Sequence, residues 1–138
     1  MGYGLPAAIG AAIGNPGREV VCVSGDGGFQ MNSQEIATAV IQELPITICI
    51  LNNGYLGMVR QWQDLFYQKR YSATVLDDGM DYVKLAEAMG AKGLRATTRE
   101  EFAAALKEAL ASKMPVVIDC IINCDDKVWP MVRRVHPS

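Results

Sequence analysis

Apolar residues fall into two rhythms along this chain. In three places they run almost unbroken: Val20-Val21-Cys22-Val23, Ile46-Thr47-Ile48-Cys49-Ile50-Leu51, and the stretch from Pro115 to Ile122. Short runs that are apolar on both faces mark strands covered from both sides, so buried parallel strands are predicted over 19–24, 46–51 and 115–122, the last of them central. Elsewhere the spacing lengthens to three and four. Ile36, Ala39, Val40 and Leu44 predict a helix from about 33 to 43, capped by Asn32 or Ser33 and closed by Pro45. Leu56, Val59, Leu65 and Phe66 predict another from 56 to about 67. Small residues with Pro6 near the start predict a helix over 4–14, ended by the turn Asn15-Pro16-Gly17. A helix over 82–89, a short strand over 90–96 and a helix from Thr98 to about 112, opened by a Thr98–Glu101 capping box, complete the series. Strands alternating with helices over short links predict an α/β fold: one parallel β-sheet with helices on both faces.

Composition narrows the choice of function. The 138 residues are enough for one core, and 50% hydrophobic with 20% charged residues is ordinary for a packed unit. Net charge is −2, and Lys69-Arg70 and Arg133-Arg134 are the tight basic pairs, so no clustered basic face for nucleic acid is expected. The first residues lack a basic leader, and 7–13 is too short to span a membrane, so a cytoplasmic location without a membrane partner is expected. Cys22, Cys49 and Cys120 fall inside predicted strands and read as small core residues. Cys124 has no second pair at metal-ligand spacing, and the single histidine, His136, stands in the tail.

The polar residues at the strand ends carry the chemistry. Ser24-Gly25-Asp26-Gly27-Gly28 follows the first apolar run, and Asn52-Asn53-Gly54 follows the second. An interval of 27 residues separates Asp26 from Asn53, the length of one parallel crossover. Each motif alone is a common turn. Together they bring a carboxylate and an amide oxygen to the rim where open α/β sheets hold ligands. A dinucleotide fingerprint does not fit, since Gln30 stands where its third glycine would be, and no phosphate loop ending in Lys-Ser/Thr exists. An aspartate beside a diphosphate makes sense when a divalent cation bridges them.

With these residues in place the chain resembles thiamine-diphosphate-dependent enzymes. More narrowly, Met1-Gly2-Tyr3-Gly4-Leu5-Pro6-Ala7-Ala8-Ile9-Gly10 and Leu51 through Gln63 are similar to the catalytic large subunit of acetolactate synthases. The match runs from Met1 to about Val132 and corresponds to the C-terminal third of such a subunit. The resemblance implies that Asp26, Asn53 and the Tyr55 carbonyl hold Mg²⁺, while Gly27 and Gly28 approach the diphosphate of thiamine diphosphate. It places Met1, Gly57 and Met58 against the cofactor's rings. Met58, Val59 and Trp62 would contact substrate, the tryptophan selecting the second 2-keto acid.

The implied reaction is the decarboxylating condensation of pyruvate with pyruvate or 2-ketobutyrate, in branched-chain amino acid biosynthesis. The activating glutamate, the pyrimidine-binding domain and the middle domain that binds FAD have no counterpart in 1–138. The chain is therefore expected to be the cofactor-binding domain of a longer enzyme and inactive alone. Homo-oligomers (dimer or tetramer) and a regulatory small subunit are the implied partners. Another thiamin-dependent decarboxylase or carboligase, or a non-catalytic α/β binding module, remains open. In the tail, Arg133-Arg134-Val135-His136-Pro137-Ser138 departs from the prolines and glycine usual there.

Overall fold

The computed structural model describes residues 1–76 and 79–129; Asp77-Asp78 and the tail from Pro130, with Arg133-Arg134 and His136, lie outside the described residues. Four parallel strands, β1 (Val20–Gly25), β2 (Ile46–Asn52), β3 (Lys92–Ala96) and β4 (Val116–Ile121), pair in the order β1-β2-β4-β3. The third long apolar run is thus interior, as its composition predicts. α1 (Gly4–Gly14) precedes β1, and between the strands come α2 (Asp26–Gln30), α3 (Glu35–Ile41), α4 (Gly57–Phe66), α5 (Tyr82–Ala88) and α6 (Arg99–Leu110).

Alternate residues of each strand feed two cores. Ile46, Ile48, Ile50 and Val117 are buried with Leu5, Ile9, Ile36, Ala39 and Ala86 on the face that carries α1, α3 and α5. Full burial of one such isoleucine stabilises the fold by about 1.5–3 kcal/mol. Cys49, Ile118 and Cys120 meet Ala105 and Ala109 of α6 on the other face. Cys22, Cys49 and Cys120 are buried, and burial pushes the Cys22 thiol up, in keeping with core residues. The cover on this second face stops short of β1, where Val21 and Val23 stand exposed, the latter at 64%. Among the described residues no helix is long and apolar enough to cross a membrane.

Local chemistry sets the helix ends. The Thr98 hydroxyl accepts the Glu101 N–H at 3.1 Å, and Glu101 returns its carboxylate to the Thr97 N–H at 2.7 Å, one residue earlier than in the usual box. The Thr97 N–H, and after it the Thr97 hydroxyl, hold the Glu101 carboxyl below its ordinary range. After α5, Gly90 takes φ +86°, the left-handed turn that lets the chain reverse into β3. There β3 runs close under α5: a Cβ on Gly93 would stand 2.7 Å from the Val83 carbonyl oxygen.

Two expectations are corrected. The glycine turn after β1 is itself a short helix, α2, so the helix nearest the motif starts at Asp26 rather than near Ser33. α3 begins at Glu35 with Gln34 at its N-cap position and no side-chain cap, while the Asn32 amide nitrogen donates to the Gly2 carbonyl. On α4 the apolar residues Val59, Leu65 and Phe66 are exposed, and Gln61 is the buried residue of that helix.

Candidate functional site

Parallel pairing of β1 and β2 in register, Gly25 beside Leu51, delivers both chain exits to one rim of the sheet. Asp26 opens α2 there, and its carboxylate is only 3% exposed. One carboxylate oxygen accepts the Gly27 N–H at 2.8 Å, and the other accepts the Gly54 N–H at 2.8 Å. The second bond latches the loop after β2 onto the residue after β1. Asn53 Oδ1 accepts the Tyr55 N–H at 3.0 Å. Tyr55 pairs antiparallel with Val75, flanked by bonds from Leu56 N–H to Thr74 O and from Leu76 N–H to Gly54 O, both 2.8 Å. In such a pair the bridging residue turns its own N–H and C=O away from its partner. The Tyr55 peptide therefore faces the side on which its N–H meets Asn53. Among the described residues no N–H or O–H reaches the Tyr55 carbonyl. Gly57 makes room for the Asn53 amide, since a Cβ there would lie 2.9 Å from Nδ2.

Charge is unbalanced at this point. Among the described residues no lysine, arginine or histidine pairs with Asp26; the ion pairs lie elsewhere. A buried carboxylate without a counter-charge is costly, and two backbone N–H groups leave some of its lone pairs unused. No cluster of three or more His, Cys, Asp or Glu gathers among the described residues. A cation held here would draw on the Asp26 carboxylate together with amide and peptide oxygens, a hard donor set that suits Mg²⁺. Gly27 and Gly28 present no open cradle through their Cβ positions. Leu56 and Leu76 would crowd a side chain on Gly27 at 2.8 and 3.0 Å, and the Ser24 hydroxyl stands 3.3 Å from a Cβ on Gly28. A cavity of about 330 Å³ lies on the neighbouring side of the loop, lined by Asn52, Gly54, Tyr55, Val75, Leu76 and Tyr82 among others, without Asp26 or Asn53.

The remaining sequence-predicted residues, Met1, Met58, Val59 and Trp62, are exposed. Met1 is exposed at the N-terminus, next to the Gly2 carbonyl that Asn32 holds. Met58, Val59 and Trp62 follow Gly57 in the first turns of α4, and Trp62 is 53% exposed. Met58, Trp62 and Leu65 recur at helical spacing, so these exposed side chains share a face.

Residues 1–120 match the family model "Thiamine pyrophosphate enzyme, C-terminal TPP binding domain". The chain belongs to this family. Its curated relatives include "Acetolactate synthase" of Mycobacterium bovis, 50% identical over 137 residues, and "Acetolactate synthase isozyme 2 large subunit" of Escherichia coli, 48% identical over 132 residues. Each alignment covers 96% of this chain, but only 22% and 24% of those proteins, so the chain spans about a quarter of their length or less. Among solved structures it is similar to a Rhodococcus jostii RHA1 thiamine diphosphate-dependent 4-hydroxybenzoylformate decarboxylase. That match has a TM-score of 0.85 and 35% identity, over 92% of this chain and 24% of that one.

In this thiamine pyrophosphate enzyme domain, a strap over α4 is the feature that sequence reasoning missed. Gln61 both donates to the Val128 carbonyl at 2.9 Å and accepts the Val128 N–H at 3.0 Å, as a strand neighbour would. Lys127 bonds to Asp64, Arg60 pairs with Asp125 at 3.2 Å, and the Arg60 guanidinium lies over the Tyr55 and Tyr71 rings at 4.5 and 4.0 Å. The signal available was Arg60-Gln61 and Asp64 on α4, facing Asp125 and Lys127 from another segment.

The hydrogen bond from Lys127 is the main cause that holds the Asp64 carboxyl below its ordinary range. A carboxyl with a depressed folded value contributes stability above the unfolded value of about 4, and that contribution fades as pH falls through the lower folded value. The strap should therefore loosen in acid. The Val128 and Lys127 amide signals in nuclear magnetic resonance spectra should report a transition below about pH 4 that Asp64→Asn abolishes. An unchanged titration in that variant would assign the acid step to another group.

Proposed function

We propose that this domain holds thiamine diphosphate through Mg²⁺, with the Asp26 carboxylate, Asn53 Oδ1 and the Tyr55 carbonyl as its protein ligands. The observation that carries this reading is the buried Asp26, with no cationic partner among the described residues and latched through Gly54 to the loop bearing the other two oxygens. Asp26 binds as the one formal negative charge. Asn53 and Tyr55 complete the protein side without adding charge that the diphosphate would have to oppose. The Gly27 N–H steadies the Asp26 carboxylate, and Gly28 supplies a backbone N–H beside the diphosphate. Met1, Gly57 and Met58 provide the apolar surface for the cofactor's rings, and Met58, Val59 and Trp62 meet the substrate.

We further propose that the complete enzyme is an acetolactate synthase, joining pyruvate to a second 2-keto acid in branched-chain amino acid biosynthesis. The identity of about 50% to acetolactate synthases supports this choice. Bound thiamine diphosphate supplies the electron sink for loss of carbon dioxide and formation of the new carbon–carbon bond. This chain's residues bind and orient; Trp62 sorts the second keto acid by apolar contact. FAD, the activating glutamate, a homo-oligomeric assembly and any regulatory subunit belong to the longer protein, and 1–138 alone is expected to be inactive. The likeness to the 4-hydroxybenzoylformate decarboxylase favours a second reading, simple decarboxylation. Acetolactate formed from pyruvate by the complete enzyme supports the first reading, and acetaldehyde alone supports the second.

Calorimetric titration of the 138-residue chain with thiamine diphosphate tests the site directly. Heat and a raised melting temperature with Mg²⁺, absent with a chelator, are the expected result. Neither signal with Mg²⁺ would leave a non-catalytic module as the better description.

A further inference from the structure

Asp119 is a single acid in an otherwise apolar interior strand, and it is 2% exposed. On the sheet face that carries α5, it lies directly across from Arg95 of β3. Its Oδ2 accepts the Arg95 Nε–H at 3.1 Å, and its Oδ1 accepts a hydrogen from Asn52 Nδ2 at 2.9 Å. Arg95 also reaches Asp81 at 2.7 Å, and Asp81 caps α5 by accepting the Val83 and Lys84 N–H groups. The bond to Asp119 is the main cause that raises the Arg95 guanidinium's affinity for its proton.

The consequence falls on Asn52. An ionised aspartate accepts and never donates, so it commits the nitrogen end of the Asn52 amide to itself. The oxygen end is turned the other way, where it accepts the Gly54 N–H at 3.2 Å. This is the same N–H that donates to Asp26 at 2.8 Å. The relay therefore runs from α5 through Arg95, Asp119 and Asn52 to the loop that presents Asn53 and Tyr55.

We propose that Asp119 is a positioning residue for the cation site: it sets which way the Asn52 amide faces and so fixes the Gly54 N–H between Asn52 and Asp26. The proposal rests on the functional reading above. It assigns Asp119 no contact with cation or cofactor, and its action passes entirely through Asn52.

The orientation argument yields a test that a generic packing role would not pass. In Asp119→Asn, the side-chain oxygen stays on the Arg95 Nε–H, so the new NH₂ faces Asn52. Asn52 must then flip to accept it, which turns its own NH₂ toward the Gly54 N–H and withdraws the acceptor. Mg²⁺-dependent thiamine diphosphate affinity should fall about tenfold, as for groups that orient ligands without touching them. Adding Asn52→Asp restores an acceptor to both neighbours, so Asn52→Asp/Asp119→Asn should return to within about threefold of the parent.

Amide hydrogen exchange at Gly54, read without ligand, should follow the same order: protected, exposed, protected. Parent-like affinity in Asp119→Asn overturns the proposal, as does failure of the double variant to recover while its melting temperature matches the parent's. If the unaltered chain takes up no thiamine diphosphate with Mg²⁺, the site reading fails and the positioning role fails with it. Gly54 protection in the same variants tells that failure from a broken relay.

Discussion

Asp26→Ala is expected to abolish Mg²⁺-dependent binding of thiamine diphosphate to this chain. The side chain is the only carboxylate in the proposed donor set, so its loss removes the formal charge that attracts the cation. Affinity should drop by at least about a hundredfold, roughly 2.7 kcal/mol. A second effect accompanies it. The Gly27 and Gly54 N–H groups lose their carboxylate acceptor, and each costs about 1–3 kcal/mol if water does not replace it. Asp26→Asn separates the two effects, because its remaining oxygen keeps one of those bonds while the charge is gone. Calorimetry decides the matter: heats equal to the parent's in either variant would remove Asp26 from the cation site.

The second large effect concerns the frame rather than the site. Gly93→Ala should destabilise the chain by about 1–3 kcal/mol, the usual cost of forcing atoms into a filled space. The added methyl group would meet the Val83 carbonyl oxygen at 2.7 Å and the Val83 Cα at 2.9 Å. Those are backbone atoms of α5 and cannot rotate aside as a side-chain tip would. Relief requires α5 to lift from β3, and Asp81, which caps α5, is also a partner of Arg95. Urea unfolding should show a lower midpoint at an unchanged slope. A midpoint equal to the parent's would mean that α5 rests on β3 less rigidly than the spacing implies.

The strands were legible because their chemistry is one-dimensional. Runs such as 46–51 are apolar on both faces, and only a doubly covered strand satisfies them, so direction and the interior place of β4 followed. The meeting of Asp26 with the Asn53 loop was legible for the same reason: crossover length and strand ends fix the rim. What escaped depends on contacts distant in sequence. The burial of Gln61 on α4 was not legible by periodicity, because its partner lies 67 residues away at Val128. Asn32 looked like a cap because its competitor, the Gly2 carbonyl, stands 30 residues earlier. Asn52 and Asn53 looked like twins. They diverge because one ends a strand beside Asp119 while the other turns back on Tyr55.

One hydrogen atom, on the Gly54 nitrogen, is shared by acceptors that come from two segments, Asp26 after β1 and Asn52 at the end of β2. Substitutions at Asp26 and at Asn52 consequently cannot be independent, since each decides how firmly the other holds that proton. A combinatorial library across these positions would display epistasis in place of additive scores, and single-site tolerance at either would be a poor guide to which pairs survive.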